Sequence, residues 1–231
     1  MGSMFSLLLA DKGFEVSIYD ASKQNVQRTT QKAAEAGLKP LMHDYLDIPS
    51  FCQNLGPSKV IFFSLPHGAV IDSVLEGLRS HLSAGDIIVD GSNESYLSTE
   101  RRQVLLKAQG VNYIGMGISG GYQGARYGPS LSPGGEDTAL NRIFPILLKI
   151  AAKDGRGTPC VAKIGPGGSG HYVKMIHNGI EHGIMSVLSE VWAIMSKGMR
   201  MDGDEIGSLI EKWGLEGELV RQVFMRLCFC C

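Results

Sequence analysis

The sequence predicts an α/β fold: a doubly wound parallel sheet that lacks its first strand, followed by the start of an all-α domain. Three observations lead there. Short β-branched and aromatic runs alternate with helix-length segments through the first two-thirds of the chain. Glycines close the helical segments, as at Gly37 and Gly110. After Lys163-Ile-Gly-Pro-Gly-Gly-Ser-Gly170 the pattern changes to long helices. The domain boundary is placed there, with residues 1–166 as the first domain and 167–231 as the second.

Taken in order, Met4 to Gly13 reads as a helix, and Phe14-Glu-Val-Ser-Ile-Tyr19 is a β run ending in Asp20. Ser22 to Ala36 is helical with Gly37 as its stop. Lys59 to Phe63 is a buried strand, followed by a helix from about Gly68 to Leu82. Asp86 to Asp90 is another strand, Tyr96 to Gln109 a helix, and Val111 to Gly115 a further strand. Such alternation implies parallel strands with helices on both faces. Ligands on these sheets sit beyond the carboxyl ends of the strands. Asp20, Ser64-Leu-Pro-His67, Gly91-Ser-Asn93 and Gly117-Ile-Ser119 are placed there.

Composition bounds the function. The chain has 231 residues, is 44% hydrophobic and 19% charged, and carries a formal charge of −1. That describes a soluble globular protein with no basic bias toward nucleic acid and no apolar run long enough to span a bilayer. The opening ten residues are too short, and lack the basic flank, for a signal peptide. Gly2 with Ser6 fits a myristoylation spacing, but the surrounding residues read as an interior helix. Five cysteines, three of them at Cys228, Cys230 and Cys231, make no disulfide framework. Cys52 and Cys160 lack the spacing of metal ligands, so no metal is expected and a reducing cytoplasm is the simplest setting.

The most informative segment runs from His171 to His182. On a helix, Lys174, His177, Asn178 and Glu181 fall within an arc of about 100°. An amine, an imidazole, an amide and a carboxylic acid then project together. Val173, Ile176, Ile180, Ile184, Val187 and Val191 form an adjoining apolar stripe that should bury. The plain alternative is a solvated helix face. Two loops add to this. The glycine-rich stretch from Ile118 to Gly135 lets backbone approach a ligand closely and present amide donors. Arg126, Tyr127 and two prolines argue against a merely flexible loop. Asp90-Gly-Ser-Asn93 is weaker, since it could be only a helix-entry turn.

A Rossmann-like domain should open with a strand and a glycine-rich turn. Here the chain goes from Met1-Gly2 directly into the helix that normally follows that turn. The missing strand would be central, and its neighbours should be left with unpaired backbone groups. The chain is therefore expected to be truncated at its start.

These segments resemble the decarboxylating 6-phosphogluconate dehydrogenases. The matching pieces are Asp90-Gly-Ser-Asn93, Ser119-Gly-Gly121 with Gly124-Ala-Arg-Tyr-Gly-Pro-Ser-Leu131 and Pro133-Gly-Gly135, and Gly170-His-Tyr-Val-Lys-Met-Ile-His-Asn-Gly-Ile-Glu181. The resemblance runs from Met1 to about Val220. Related short-chain β-hydroxyacid dehydrogenases share the Ser-Gly-Gly, the Lys and the Asn but lack the longer elements.

The resemblance implies oxidative decarboxylation of 6-phosphogluconate to ribulose 5-phosphate with NADP or NAD, in the pentose phosphate pathway and gluconate utilization. It implies a cytoplasmic homodimer with no nucleic-acid or membrane partner. Lys174 matches the general base that takes the 3-hydroxyl proton, a role that requires a lowered pKa. Glu181 matches the acid that protonates the enediol. Asn178, His177, Asn93, Ser119, Gly120 and Gly121 match substrate-holding positions. Gly2, Asp20, Ser22, Leu65 and Asn93 fall at cofactor-binding positions.

Departures from the family pattern are informative. His182 stands where a phosphate-binding tyrosine is usual. Asp20-Ala21-Ser22 stands where many NADP-using members carry Asn-Arg-Thr, and a basic residue expected near Leu65 is absent. A carboxylate at Asp20 suits a free ribose diol and repels a 2′-phosphate, so the residues lean to NAD against a family habit of NADP. From Arg221 onward the chain drifts from the pattern, and it stops inside the helical domain. The remaining phosphate ligands, including those from a partner subunit's tail, are not in it. Truncated at both ends, the chain alone is expected to have little activity and to aggregate through its apolar helix faces. Two other readings remain: an NAD-dependent β-hydroxyacid dehydrogenase acting on another small acid, or a non-catalytic fragment that associates with full-length subunits.

Overall fold

The computed structural model describes residues 1–216, apart from the Leu215 side chain. The cysteines Cys228, Cys230 and Cys231 and the divergent run from Arg221 lie outside the described residues. Among the described residues two compact units are present, Met1–Met175 and one that begins at Ile176.

In the first unit the elements run α1 (Gly2–Asp11), β1 (Val16–Tyr19), α2 (Lys23–Glu35), β2 (Met42–Tyr45), α3 (Ile48–Asn54), β3 (Val60–Phe63) and α4 (Ala69–Leu78). They continue with β4 (Ile87–Asp90), α5 (Tyr96–Lys107), β5 (Asn112–Ser119), α6 (Gly121–Tyr127), β6 (Ser130–Gly134) and α7 (Asp137–Ile150). The strands form two sheets, β1-β2 and β3-β4-β5-β6. All pairs are parallel except β5-β6. Among the described residues β1 pairs only with β2 and β3 only with β4, so the strands fall into two separate sheets.

Strand periodicity sorts the core. Along β4, Ile87 and Val89 face one way and Ile88 the other, because successive side chains point to opposite faces. Ile87 and Val89 join Ile114, Met116 and the α1 and α7 side chains Phe5, Leu8, Leu140, Ile143 and Leu147. Ile88 joins Ile61, Phe63, Tyr113 and the α3, α4 and α5 side chains Phe51, Ile71, Leu78 and Leu106. Helices thus cover both faces, and strands buried on both sides read as continuous apolar runs.

The glycine-rich stretch is regular structure rather than a loop. Gly121–Tyr127 forms α6, whose Ala125 packs with Met4, Leu7 and Ala10 of α1. Ser130–Gly134 forms β6, antiparallel to β5. β2 and α3 also escape the periodicity reading: Met42-His-Asp-Tyr45 is mostly polar, with only Met42 fully buried.

α8 (Ser169–Ala193) begins in the first unit and continues into the second. There it runs into a π-turn at Ile194–Gly198 and is followed by α9 (Gly203–Glu216). Asp202 and Glu205 exchange backbone-to-carboxylate hydrogen bonds of 3.0 and 2.8 Å, a capping box that starts α9. Met195, Ile206 and Ile210 form a small core joined by Leu188 and Val191. The expected burial of the α8 apolar stripe does not hold. Ile176, Ile180, Ile184 and Val187 are 45%, 60%, 40% and 60% exposed, and among the described residues only Val191 of the stripe joins a core.

Candidate active site

The site is built from the first turns of α8 and the carboxyl end of β5. Backbone meets backbone here because the contact positions are glycine. A Cβ on Gly170 would overlap the carbonyl oxygens of Gly115 and Ser132 and come within 2.7 Å of the Gly134 nitrogen. A Cβ on Gly117 would meet the Lys174 Cβ at 2.8 Å. This approach places Lys174 beside the end of β5, where its Nζ donates to Ser119 Oγ at 2.8 Å. Lys174 is half-buried, and an amine beside a hydroxyl at the carboxyl end of a strand can exchange protons with a bound alcohol.

Ser119 leads into Gly120, whose φ of +125° is open to glycine, and Gly121 begins α6. Both glycines are exposed, so their backbone faces solvent at a strand's carboxyl end. Asn93 follows β4 in the same manner, exposed between buried Ser92 and Glu94. Gly2 starts α1, and a Cβ there would meet Ser64 Cβ at 3.0 Å, so the helix start lies against the segment after β3. Leu65 is not turned to that opening; it is half-buried against the core on the α3–α5 side.

Asp20 directly follows β1 and is exposed. It accepts from the Ser22 backbone N–H at 2.7 Å and from Asn25 Nδ2 at 3.2 Å, tying down the turn into α2, whose N-cap is Ser22. The carboxylate therefore has a local structural role and also stands beyond the carboxyl end of a parallel strand, the region where ligands sit on such sheets.

His177, Asn178, Glu181 and His182 all lie on α8 within the second unit. His177 Nδ1 is 3.5 Å from a Glu181 oxygen and 3.3 Å from Asn178 Oδ1. Asn178 and Glu181 are half-buried, whereas His177 and His182 are exposed.

Sequence reasoning missed two buried polar groups, one around Asp90 and one at His171, three residues before Lys174. Asp90, wholly buried, accepts from Tyr113 Oη at 2.6 Å and from the Ser92 N–H at 3.0 Å. His171, 1% exposed, has its Nδ1 2.6 Å from Thr99 Oγ1. Burial pushes the His171 pKa down, against the pull of the Asp90 carboxylate, so the imidazole is held neutral. Burial, reinforced by Asp90, pushes the Tyr113 phenol up. The available signal was His171 itself, three residues before Lys174 and therefore on the same side of the helix.

Two family models match the chain. The NAD binding domain of 6-phosphogluconate dehydrogenase covers residues 1–165, and the 6-phosphogluconate dehydrogenase C-terminal domain covers 170–225. Similar relatives include 6-phosphogluconate dehydrogenase, decarboxylating, from Emericella nidulans, 46% identical over 223 residues, covering 95% of this chain and 45% of that protein. The NAD(+)-dependent decarboxylating enzyme of Bacillus subtilis is 41% identical over 219 residues, covering 95% of this chain and 46% of that one. Among solved structures, Plasmodium falciparum 6-phosphogluconate dehydrogenase, determined apo, with NADP+ and with 6-phosphogluconate, has a TM-score of 0.87 at 38% identity, covering 93% of this chain and 45% of that one. Mycobacterium tuberculosis 3-hydroxyisobutyrate dehydrogenase, at TM-score 0.72 and 19% identity over 94% of this chain and 68% of that one, shares the fold. The chain thus spans under half the length of the curated relatives it matches. With both domain models matched in order along one chain, it belongs to the 6-phosphogluconate dehydrogenase family.

Proposed function

We propose that this chain carries the base and the substrate-holding segments of an enzyme that oxidatively decarboxylates 6-phosphogluconate to ribulose 5-phosphate. The observation that carries this reading is the Lys174–Ser119 contact of 2.8 Å, held by a helix seated on glycines. Lys174 accepts the proton of the substrate 3-hydroxyl as hydride leaves C3. A nicotinamide supplies the hydride acceptor when bound. The resulting β-keto acid loses carbon dioxide because the new ketone takes up the electrons of the breaking bond. Glu181 then protonates C1 of the enediol. Ser119, Gly120, Gly121, Asn93, His177 and Asn178 hold the sugar carboxylate and hydroxyls, and His182 serves the phosphate end. The polar groups at the ends of β1, β3 and β4 would hold a dinucleotide, with Gly2 beside its phosphates and Asp20, Ser22 and Asn93 along its length, while Leu65 packs against the core instead. A homodimer in the cytoplasm, with no nucleic-acid or membrane partner, is part of the same reading. Among the described residues no helix is long and apolar enough to cross a membrane.

A chimera in which this chain replaces the matching 223 residues of the Emericella nidulans relative tests the reading in a full-length setting. It should reduce the cofactor faster with 6-phosphogluconate than with 3-hydroxyisobutyrate. The reverse order would favour a β-hydroxyacid dehydrogenase, the reading to which Asp20 and His182 point.

Cofactor preference is a separate expectation. The Asp20 carboxylate, fixed by Ser22 and Asn25, repels a 2′-phosphate and accepts from a free diol. The chimera should show higher kcat/KM with NAD than with NADP, and Asp20→Ser with Ala21→Arg should reverse the order. A native preference for NADP of about tenfold or more, about 1.4 kcal/mol, would show that other groups decide.

A further inference from the structure

Helix α5 carries a charged side chain that the proposed chemistry leaves unused and the fold hides. Arg102 is 1% exposed. Its Nε donates to Asp72 Oδ1 at 2.9 Å and its Nη1 to Glu94 Oε2 at 2.8 Å. Its Nη2 donates to Gly68 O at 3.0 Å and to Asp72 Oδ2 at 3.1 Å. Glu94 in turn accepts from the backbone N–H groups of Gly68 at 2.8 Å and Ser95 at 2.7 Å. Burial pushes the Glu94 carboxyl up, but Arg102 and these N–H groups outweigh it and hold the group below its usual range. Hydrogen bonding from Arg102 foremost, joined by Arg101, holds Asp72 down at about 2.

The place of this cluster matters more than its charge. Gly68 belongs to the segment after β3, and Glu94 to the turn after β4. One guanidinium therefore ties together two neighbouring segments at the carboxyl ends of parallel strands. Within the second of them Ser92 is pinned by Asp90 and Glu94 by Arg102, while Asn93 between them is exposed. A planar fork with fixed donor directions suits this role, and a lysine point charge cannot satisfy the same acceptors together.

We propose that Arg102 is a positioning residue for Asn93: through Glu94 and Gly68 it locks the turn after β4 to the segment after β3, so that Asn93 is held toward the sugar acid. The inference rests on the reading of Asn93 as a 6-phosphogluconate ligand. The test uses the chimera, its Arg102→Lys, Asn93→Ala and double variants, amide hydrogen exchange, and calorimetric titration with 6-phosphogluconate. Arg102→Lys should speed exchange at 64–68 and 91–95 by about tenfold or more, with β4 and β5 protection unchanged. It should weaken binding about tenfold in the parent but less than about twofold in the Asn93→Ala background, because residues acting as a unit are non-additive. Glu94→Gln, which keeps the side-chain shape, should give the same pattern if Arg102→Lys fails to fold. Unchanged exchange at 91–95, a uniform rise across the sheet, or additive losses of affinity would overturn the proposal. Unchanged affinity on Asn93→Ala in a parent that binds, with the exchange pattern as expected, supports the latch and overturns the ligand reading of Asn93.

Discussion

Replacing Lys174 with methionine in the chimera should lower kcat by about 100-fold or more, the scale of a lost general base. Methionine keeps length and packing, so the Gly117 contact survives while the exchangeable proton does not. The loss should fall on kcat more than on KM, because proton removal is made only in the transition state. The Lys174–Ser119 geometry makes this the largest kinetic effect expected of one substitution in the first unit. Near-parental turnover would remove Lys174 from the base role.

The largest effect on stability should come from Gly170→Ala. The added methyl would overlap backbone atoms of Gly115 and Ser132, and backbone cannot swing aside as a flexible side chain does. Overpacking of this kind costs about 3 kcal/mol, at the upper end of its usual range. For a chain of this size that is about 10 °C in Tm. Gly183→Ala is the control: it lies within α8, and among the described residues nothing stands within 4 Å of its Cβ position. Alanine there should be neutral or stabilising by up to about 1 kcal/mol. Equal melting temperatures for Gly170→Ala and the parent would contradict the packing of α8 on β5.

Much of this was legible in the residues. The β3, β4 and β5 runs are apolar on both faces, so their strand character is plain, and Ser119 and Lys174 both fall within the motifs that mark the site. What escaped has physical causes. β2 is short and polar, and its pairing with β1 is a long-range event that local periodicity does not encode. The stretch after Ser119 is rich in glycine, a poor helix former, yet packing of Ala125 against α1 makes α6 a helix. Arg102 stands beside Arg101 in a polar helix and reads as solvated, although its neighbour at 51% side-chain exposure is the solvated one of the pair. Thr99 and His171 meet only because α5 and α8 converge from 72 residues apart.

On the proposed function, this chain's residues take part in coupling oxidation to loss of carbon dioxide. The direct measurement is the ratio of carbon dioxide released to cofactor reduced when the chimera is given 6-phosphogluconate. One carbon dioxide per reduced nicotinamide is expected, with ribulose 5-phosphate as the product. Reduced cofactor accumulating with an intact keto acid and no carbon dioxide would contradict it.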